Sequence, residues 1–168
     1  MKNIFRIVVV TCLMLGMLLT AIPASAGTRT PVTGTFEVRD WIENPGFREW
    51  GSGPNWHWRN EIYVYQVIAN DPRLNGYDKF TNNGDIISTD EGDLIFLHVY
   101  NLGIIYAEDT FITPLWTCAG NTEINMMAGK FSSTIECHGM GDYTGLVAHL
   151  TFSTLADIMP FEGEIHEP

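Results

Sequence analysis

The feature that most constrains the fold is a two-residue alternation of side-chain character, which is clearest over residues 56–68. One face would carry Trp56, Trp58, Asn60, Ile62, Val64, Gln66 and Ile68, and the other His57, Arg59, Glu61, Tyr63, Tyr65 and Val67. Successive side chains of a β-strand point to opposite faces, whereas a helix repeats its apolar positions every three or four residues. Because the segment is also rich in aromatic and β-branched residues, we predict a strand here.

Similar segments recur along the chain and predict about eight strands, with no helix longer than a turn or two. They lie at residues 33–41, 77–82, 94–106, 111–118, 124–127, 131–137, 146–154 and 161–165. Gly84 and Gly120 lie in turn-forming stretches between strands, and residues 43–55 are predicted to form a long irregular loop. Short antiparallel strands in this number predict an all-β fold, either a closed eight-stranded barrel or a sandwich. Such a barrel has room for its own side chains or for one small ligand.

The first 26 residues have the three parts of a secretory signal. Lys2 and Arg6 supply positive charge, residues 7–20 form an uncharged apolar run, and Ala24-Ser25-Ala26 has the small residues of a cleavage site. The apolar run is about 14 residues long, too short to cross a hydrocarbon layer of about 30 Å, although an uncleaved anchor is the alternative. We expect cleavage near Ala26, a secreted or periplasmic protein without a membrane-spanning helix, and one domain over residues 27–168.

Charge excludes one class of partner. Cleavage would leave seven basic residues against 20 acidic ones. Phosphate backbones and anionic lipid surfaces are bound through Lys and Arg, so we expect no nucleic-acid partner. A membrane barrel of the smallest size also fits the length, but Glu61 on the face of Tyr63 and Tyr65 argues against a lipid-facing stripe.

Two cysteines, Cys118 and Cys137, would remain after cleavage. An even count in an exported chain favours a disulfide between them, with free thiols as the alternative. No histidine or cysteine pair has the spacing of a zinc site within one element, so no metal is expected. Phosphate-binding and nucleophile motifs are also missing from the sequence, and no cofactor is expected.

The most distinctive stretch of the sequence is a glycine-rich turn at residues 139–146. Gly139, Gly141 and Gly145 surround Tyr143, which is predicted to plug one end of the barrel, and glycine permits the positive φ of a tight turn. With the strands that follow, this stretch resembles the C-terminal third of allene oxide cyclase and dirigent proteins, plant eight-stranded barrels with a G-x-G-x-F motif. It resembles still more closely a class of secreted bacterial proteins with the same barrel and no assigned activity.

The resemblance is patchy over residues 32–165 and implies the fold, a single eight-stranded antiparallel β-barrel, more than the chemistry. Allene oxide cyclase steers ring closure of a reactive epoxide inside an apolar barrel, and dirigent proteins orient a radical coupling without oxidising anything themselves. Both assemble as oligomers, commonly trimers for dirigent proteins. Their catalytic acids match no position of this chain, so the resemblance assigns no catalytic residue.

Side chains that could face the barrel interior are the candidates for function. Ligand contact is predicted for Tyr63, Tyr65, His98, Tyr100 and Trp58. Glu136 and His98 are the candidates for acid–base chemistry, because a carboxylate inside an apolar barrel has a raised pKa. The competing interpretation is a solvated Glu136 and a structural His98. A slip of one residue in strand facing would exchange these sets.

Three functions follow from this fold. The first is a non-catalytic binding or scaffold protein for a small apolar or aromatic ligand. The second is a cofactor-free isomerase or cyclase that acts by confinement, and the third is a cell-surface interaction protein with a filled barrel. Residues 94–99 are apolar on both faces, which predicts a covered outer surface and hence a homo-oligomer, either a dimer or a trimer.

Overall fold

The computed structural model of the protein describes residues 27–42, 44–52, 55–88, 95–125 and 130–167. The predicted signal segment, Leu94, and the side chains of residues 87, 88, 95–98 and 130 lie outside this description. Nine strands and two short 3-10 turns, Pro72–Leu74 and Gly141–Tyr143, make up the described chain. The strands are β1 (Arg29–Ile42), β2 (Arg48–Ser52), β3 (Asn55–Ala69), β4 (Gly76–Ser88), β5 (Ile95–Tyr106), β6 (Pro114–Asn125), β7 (Lys130–Gly139), β8 (Val147–Phe152) and β9 (Ile158–His166). Within these ranges, no helix is long and apolar enough to span a membrane.

Eight of the strands close into an antiparallel barrel. Their order is β1-β9-β8-β7-β6-β5-β4-β3, and β1 also pairs with β3, which completes the ring. Every neighbouring pair is antiparallel. The prediction of an all-β, eight-stranded antiparallel barrel is confirmed.

β2 is an additional strand that the sequence pattern did not reveal. It pairs with residues 55–59 of β3, on the edge that β1 leaves uncovered once its own pairing ends with Ile42 opposite Ile62. A bare edge would expose a row of unpaired backbone N–H and C=O groups, which the β2–β3 hairpin covers. The prediction of an irregular loop over residues 43–55 is therefore wrong for the β2 part.

β4 and β6 continue through the glycines that were predicted to end strands. Gly84 lies within β4 and Gly120 within β6. A Cβ atom on Gly84 would overlap the indole of Trp58, so glycine here makes room for a ring from the neighbouring strand. The predicted turns are wrong because glycine serves close packing at these positions.

The filled half of the barrel surrounds the start of β6. Trp116, Leu74 and Ile105 are fully buried there. Trp116 donates its indole N–H to the backbone carbonyl of Arg73 over 2.7 Å, and its ring stacks on Tyr143 with ring centres 5.6 Å apart. Tyr143 belongs to the glycine-rich turn, which therefore covers this end of the barrel.

Two glycines of that turn have a positive φ, a conformation that residues with a side chain seldom adopt. Gly141 has a φ of 57° and Gly145 a φ of 97°. A side chain at either position would clash with its own backbone, so the turn depends on glycine there.

The disulfide predicted between Cys118 and Cys137 is present. The two residues face each other across β6 and β7, and their sulfur atoms lie 2.07 Å apart. Both are buried in the filled half of the barrel. The bond therefore links two neighbouring strands from the inside.

Candidate ligand-binding cavity

The other half of the barrel interior is open. A cavity of about 410 Å³ lies there, and its rim includes the partly exposed Val38 and Leu155. Most of the lining is aromatic or aliphatic, with a few polar side chains among them. The aromatic lining consists of Phe36, Trp58, Tyr63, Tyr65, Phe80, Phe131 and Phe152.

A bulge in β3 brings Trp58 onto the same wall as Glu61 and Tyr63. The pairing of β3 with β4 shifts between Trp58 and Glu61, and Asn60 between them has a φ of 62°. Asparagine is one of the few residues besides glycine that adopt this left-handed conformation readily. A bulge adds a residue and reverses the alternation beyond it, so two side chains of opposite parity come to share one face.

Glycines on neighbouring strands let the aromatic rings lie close to the barrel wall. The indole of Trp58 covers Gly84, and the ring of Phe80 covers Gly103. A Cβ atom at either glycine would overlap the ring above it. The rings are thereby held against the wall, which keeps the centre of this half of the barrel open.

Glu61 places a carboxyl group in this aromatic wall. The hydroxyl of Tyr63 donates to Glu61 Oε1 over 3.2 Å. Burial raises the pKa of Glu61, and the Tyr63 hydroxyl and the nearby Trp58 indole only partly offset that effect. Trp58 Nε1 is itself buried and has no hydrogen-bond partner of normal geometry in the described chain. Glu61 and Trp58 are therefore placed to bond a polar group of a ligand.

A row of neutral polar side chains lines β5, β6 and β7. Asn101 Nδ2 donates to Thr122 Oγ1 over 2.9 Å, and Thr122 Oγ1 lies 2.7 Å from Ser133 Oγ. All three residues are buried. A molecule in the cavity would therefore contact the aromatic rings and the Glu61 carboxyl group of β3 on one side. On the other side it would contact the amide and hydroxyl groups of β5 to β7. A few fixed polar groups in an apolar pocket are what orient a small ligand.

A fully buried carboxyl group, that of Asp78, lies deeper in the barrel. Asp78 is fully buried, and neither of its carboxylate oxygens has a hydrogen-bond partner of normal geometry in the described chain. It precedes Phe80 by two residues on β4 and lies beside Gly103, between the cavity and the filled half. Burial raises the pKa of Asp78 to about 7, against a smaller opposing effect of the Ile104 backbone. Asp78 is therefore a proton-binding group in an apolar interior.

The structure brings some of the predicted site residues together and separates others. Trp58, Tyr63 and Tyr65 lie together on the cavity wall. Tyr100 does not line the cavity and is 45% exposed. Glu136 lies on the outer face of β7, where its carboxylate is 2.8 Å from His138 Nε2. His98 is in β5 opposite Asp85 and Glu123, and its side chain lies outside the described part.

The sequence contains a signal for Asp78 in the alternation of β4. Asp78, Phe80 and Asn82 alternate along β4, so an acid is in phase with an inward-facing aromatic residue. Such an acid is either buried or marks a slip in the predicted facing. The polar row of β5 to β7 had no comparable signal, because Asn101, Thr122 and Ser133 come from three separate strands.

Comparison of the chain with protein-family models, curated proteins and solved structures gives no match. The function is therefore inferred from the cavity and its chemistry.

Proposed function

We propose that the protein is an exported binding protein that holds a small apolar or aromatic ligand in the barrel cavity. The observation that carries the proposal is the cavity of about 410 Å³. Small-molecule sites commonly measure about 300–1,000 Å³ and combine an apolar lining with a few placed polar groups. A filled barrel that acts only through its outer surface would need no such space.

Export and membership of the allene oxide cyclase and dirigent-like barrels belong to the same proposal. A buried disulfide, Cys118 to Cys137, supports an oxidising compartment, either the cell exterior or a periplasm. The glycine-rich turn around Tyr143 supports the barrel class. Homo-oligomer formation stays a prediction, which sedimentation of the purified protein tests directly.

A fluorescent probe tests whether the cavity binds apolar molecules. N-phenyl-1-naphthylamine is neutral and apolar, and its emission increases when it leaves water. We expect it to bind the wild-type protein saturably, with one probe per chain. The variant Val99→Trp places a large ring in the cavity wall, and it should weaken probe binding by at least tenfold.

Leu102→Trp is the matched control, because Leu102 lies on the same strand, does not line the cavity and is 46% exposed. This variant should bind the probe as the wild type does. Equal binding by Val99→Trp and the wild type, with both folded by circular dichroism, would place the probe elsewhere and contradict the proposal.

Glu61 favours a second candidate function, a cofactor-free isomerase or cyclase that acts by confinement. Its carboxyl group lies in an apolar wall beside the Tyr63 hydroxyl, and burial raises its pKa. A carboxyl group of this kind, placed beside a bound molecule, can act as a general acid or a general base. Glu61→Gln should then abolish conversion of a ligand recovered from the protein while probe binding is retained. Equal conversion by Glu61→Gln and the wild type would contradict the catalytic role of Glu61, and ligand binding would remain the proposed function.

A further inference from the structure

The outer face of β7, β8 and β9 gathers three of the five histidines of the chain, at some distance in the fold from the cavity lining. His149 on β8 lies directly opposite Glu136 of β7 on one side and Glu164 of β9 on the other. Two residues along, His138 and His166 lie on either side of Val147. Spacing within one strand does not reveal this group, because the sheet assembles it from three strands.

Each histidine ring of this group is hydrogen-bonded or close to a carboxylate. His166 Nε2 lies 2.7 Å from Glu164 Oε1, and His138 Nε2 lies 2.8 Å from Glu136 Oε1. His149 Nδ1 lies 3.4 Å from Glu136 Oε2. A carboxylate that holds one ring nitrogen fixes the orientation of the imidazole and leaves the other nitrogen available, which is the usual arrangement around metal-binding histidines.

We propose that this face binds a zinc ion through His149 and His166, with Glu136 and Glu164 orienting the two rings. The centres of the two rings are 5.0 Å apart. Two imidazoles on one tetrahedral zinc ion have ring centres about 5 Å apart, because each centre lies roughly 3 Å from the ion. Imidazole nitrogen also favours zinc over calcium or magnesium, which take oxygen ligands.

Binding of an ion would require a small adjustment of the two histidine side chains. In the described part of the chain, no three potential ligands already converge on one metal position. His149 is about half exposed and His166 about one quarter, so both side chains have room to adjust when an ion binds. Rotation of an exposed side chain between staggered conformers costs little.

The surface around the histidines offers a further ligand. Gly27 lines the same concavity as Glu136, His138, His149 and His166. Cleavage after Ala26, which the sequence predicts, would give Gly27 a free α-amino group at this place. An amine nitrogen could take a third position on the ion, with water in the fourth.

Isothermal titration of the metal-free exported protein with zinc chloride tests the proposal. We expect one ion per chain for the wild type, and at least tenfold weaker binding for His149→Ala and for His166→Ala. Glu164→Gln should weaken binding by roughly 10–100-fold if it acts by orienting His166. All of these side chains are on the surface, so circular dichroism should show folded variants.

The control is His57→Ala, because His57 also pairs with a carboxylate, that of Asp85 at 2.7 Å, but lies on β3. It should bind zinc as the wild type does. The proposal would be overturned if the wild type bound no zinc or if His149→Ala bound it unchanged. It would also be overturned if His57→Ala lost as much binding as His149→Ala does. None of these outcomes depends on the cavity or on its ligand.

Discussion

The buried carboxyl group of Asp78 should make the stability of the protein depend on pH. Its carboxyl group is fully buried, and burial raises its pKa from 3.8 to about 7. Between these two values the folded chain holds a proton on Asp78 that the unfolded chain has released. The free energy of unfolding therefore falls as the pH rises through this window, because stability decreases wherever the folded state binds more protons.

The size of the effect follows from the pKa change. A rise from 3.8 to about 7 corresponds to about 4 kcal/mol of stability lost between pH 4 and pH 8. Asp71, Asp85 and Glu164 have lowered pKa values and act in the opposite direction, since their ion pairs and hydrogen bonds are lost at low pH. Comparison with Asp78→Asn separates the effect of Asp78, because the other groups are common to both proteins.

Urea unfolding of the wild type and Asp78→Asn at pH 4 and pH 8 measures this contribution. The amide does not ionise, so the stability of the variant relative to the wild type should rise by about 4 kcal/mol between the two pH values. Any constant cost of burying the amide cancels in that difference. Asp142→Asn, at an exposed position, serves as the control and should change stability little at either pH. A relative stability of Asp78→Asn that changes by less than about 1 kcal/mol would refute the reasoning.

Two other structural features give direct predictions. Replacing Cys118 and Cys137 together by serine should lower the free energy of unfolding by about 3 kcal/mol, the chain-entropy value for a loop of this length, as measured by urea unfolding. Gly84→Ala forces the Trp58 ring away from the wall, and should cost about 1–3 kcal/mol in the same assay. Gly84→Ala should cost less when it is made in a Trp58→Ala variant, which lacks the ring, than in the wild type. An equal cost of Gly84→Ala in both proteins would show that ring overlap is not the cause.

The sequence was sufficient to predict the barrel because alternation is a local property of each strand. Residues 56–68 could be assigned from their own pattern, and the structure places them within β3. β2 has no pattern of its own, since Arg48–Ser52 contains a glycine and no inward-facing apolar series. It forms a strand because β3 extends beyond its pairing with β1 and leaves an edge to which β2 can pair. That edge exists only in the tertiary structure, so the local sequence does not reveal it.

The cavity wall was harder to predict for a similar reason. Tyr63 and Tyr65 have the expected common face, but strict alternation placed Trp58 on the other one. The bulge at Asn60 changes that, and nothing in a single sequence marks asparagine at this point as left-handed. Glu136 was predicted as a possible inward acid, and the structure places it outside because Cys137 and Ile135 take the inward positions of β7.

Native mass spectrometry of the protein, purified from its own host, shows whether the barrel holds a ligand. We expect a chain that carries one small molecule, which dissociates on activation and is missing from Val99→Trp but present in Leu102→Trp. The mass of that molecule would identify its chemical class. A wild-type chain with its disulfide intact and no bound molecule, identical in spectrum to Val99→Trp, would contradict a ligand-holding barrel.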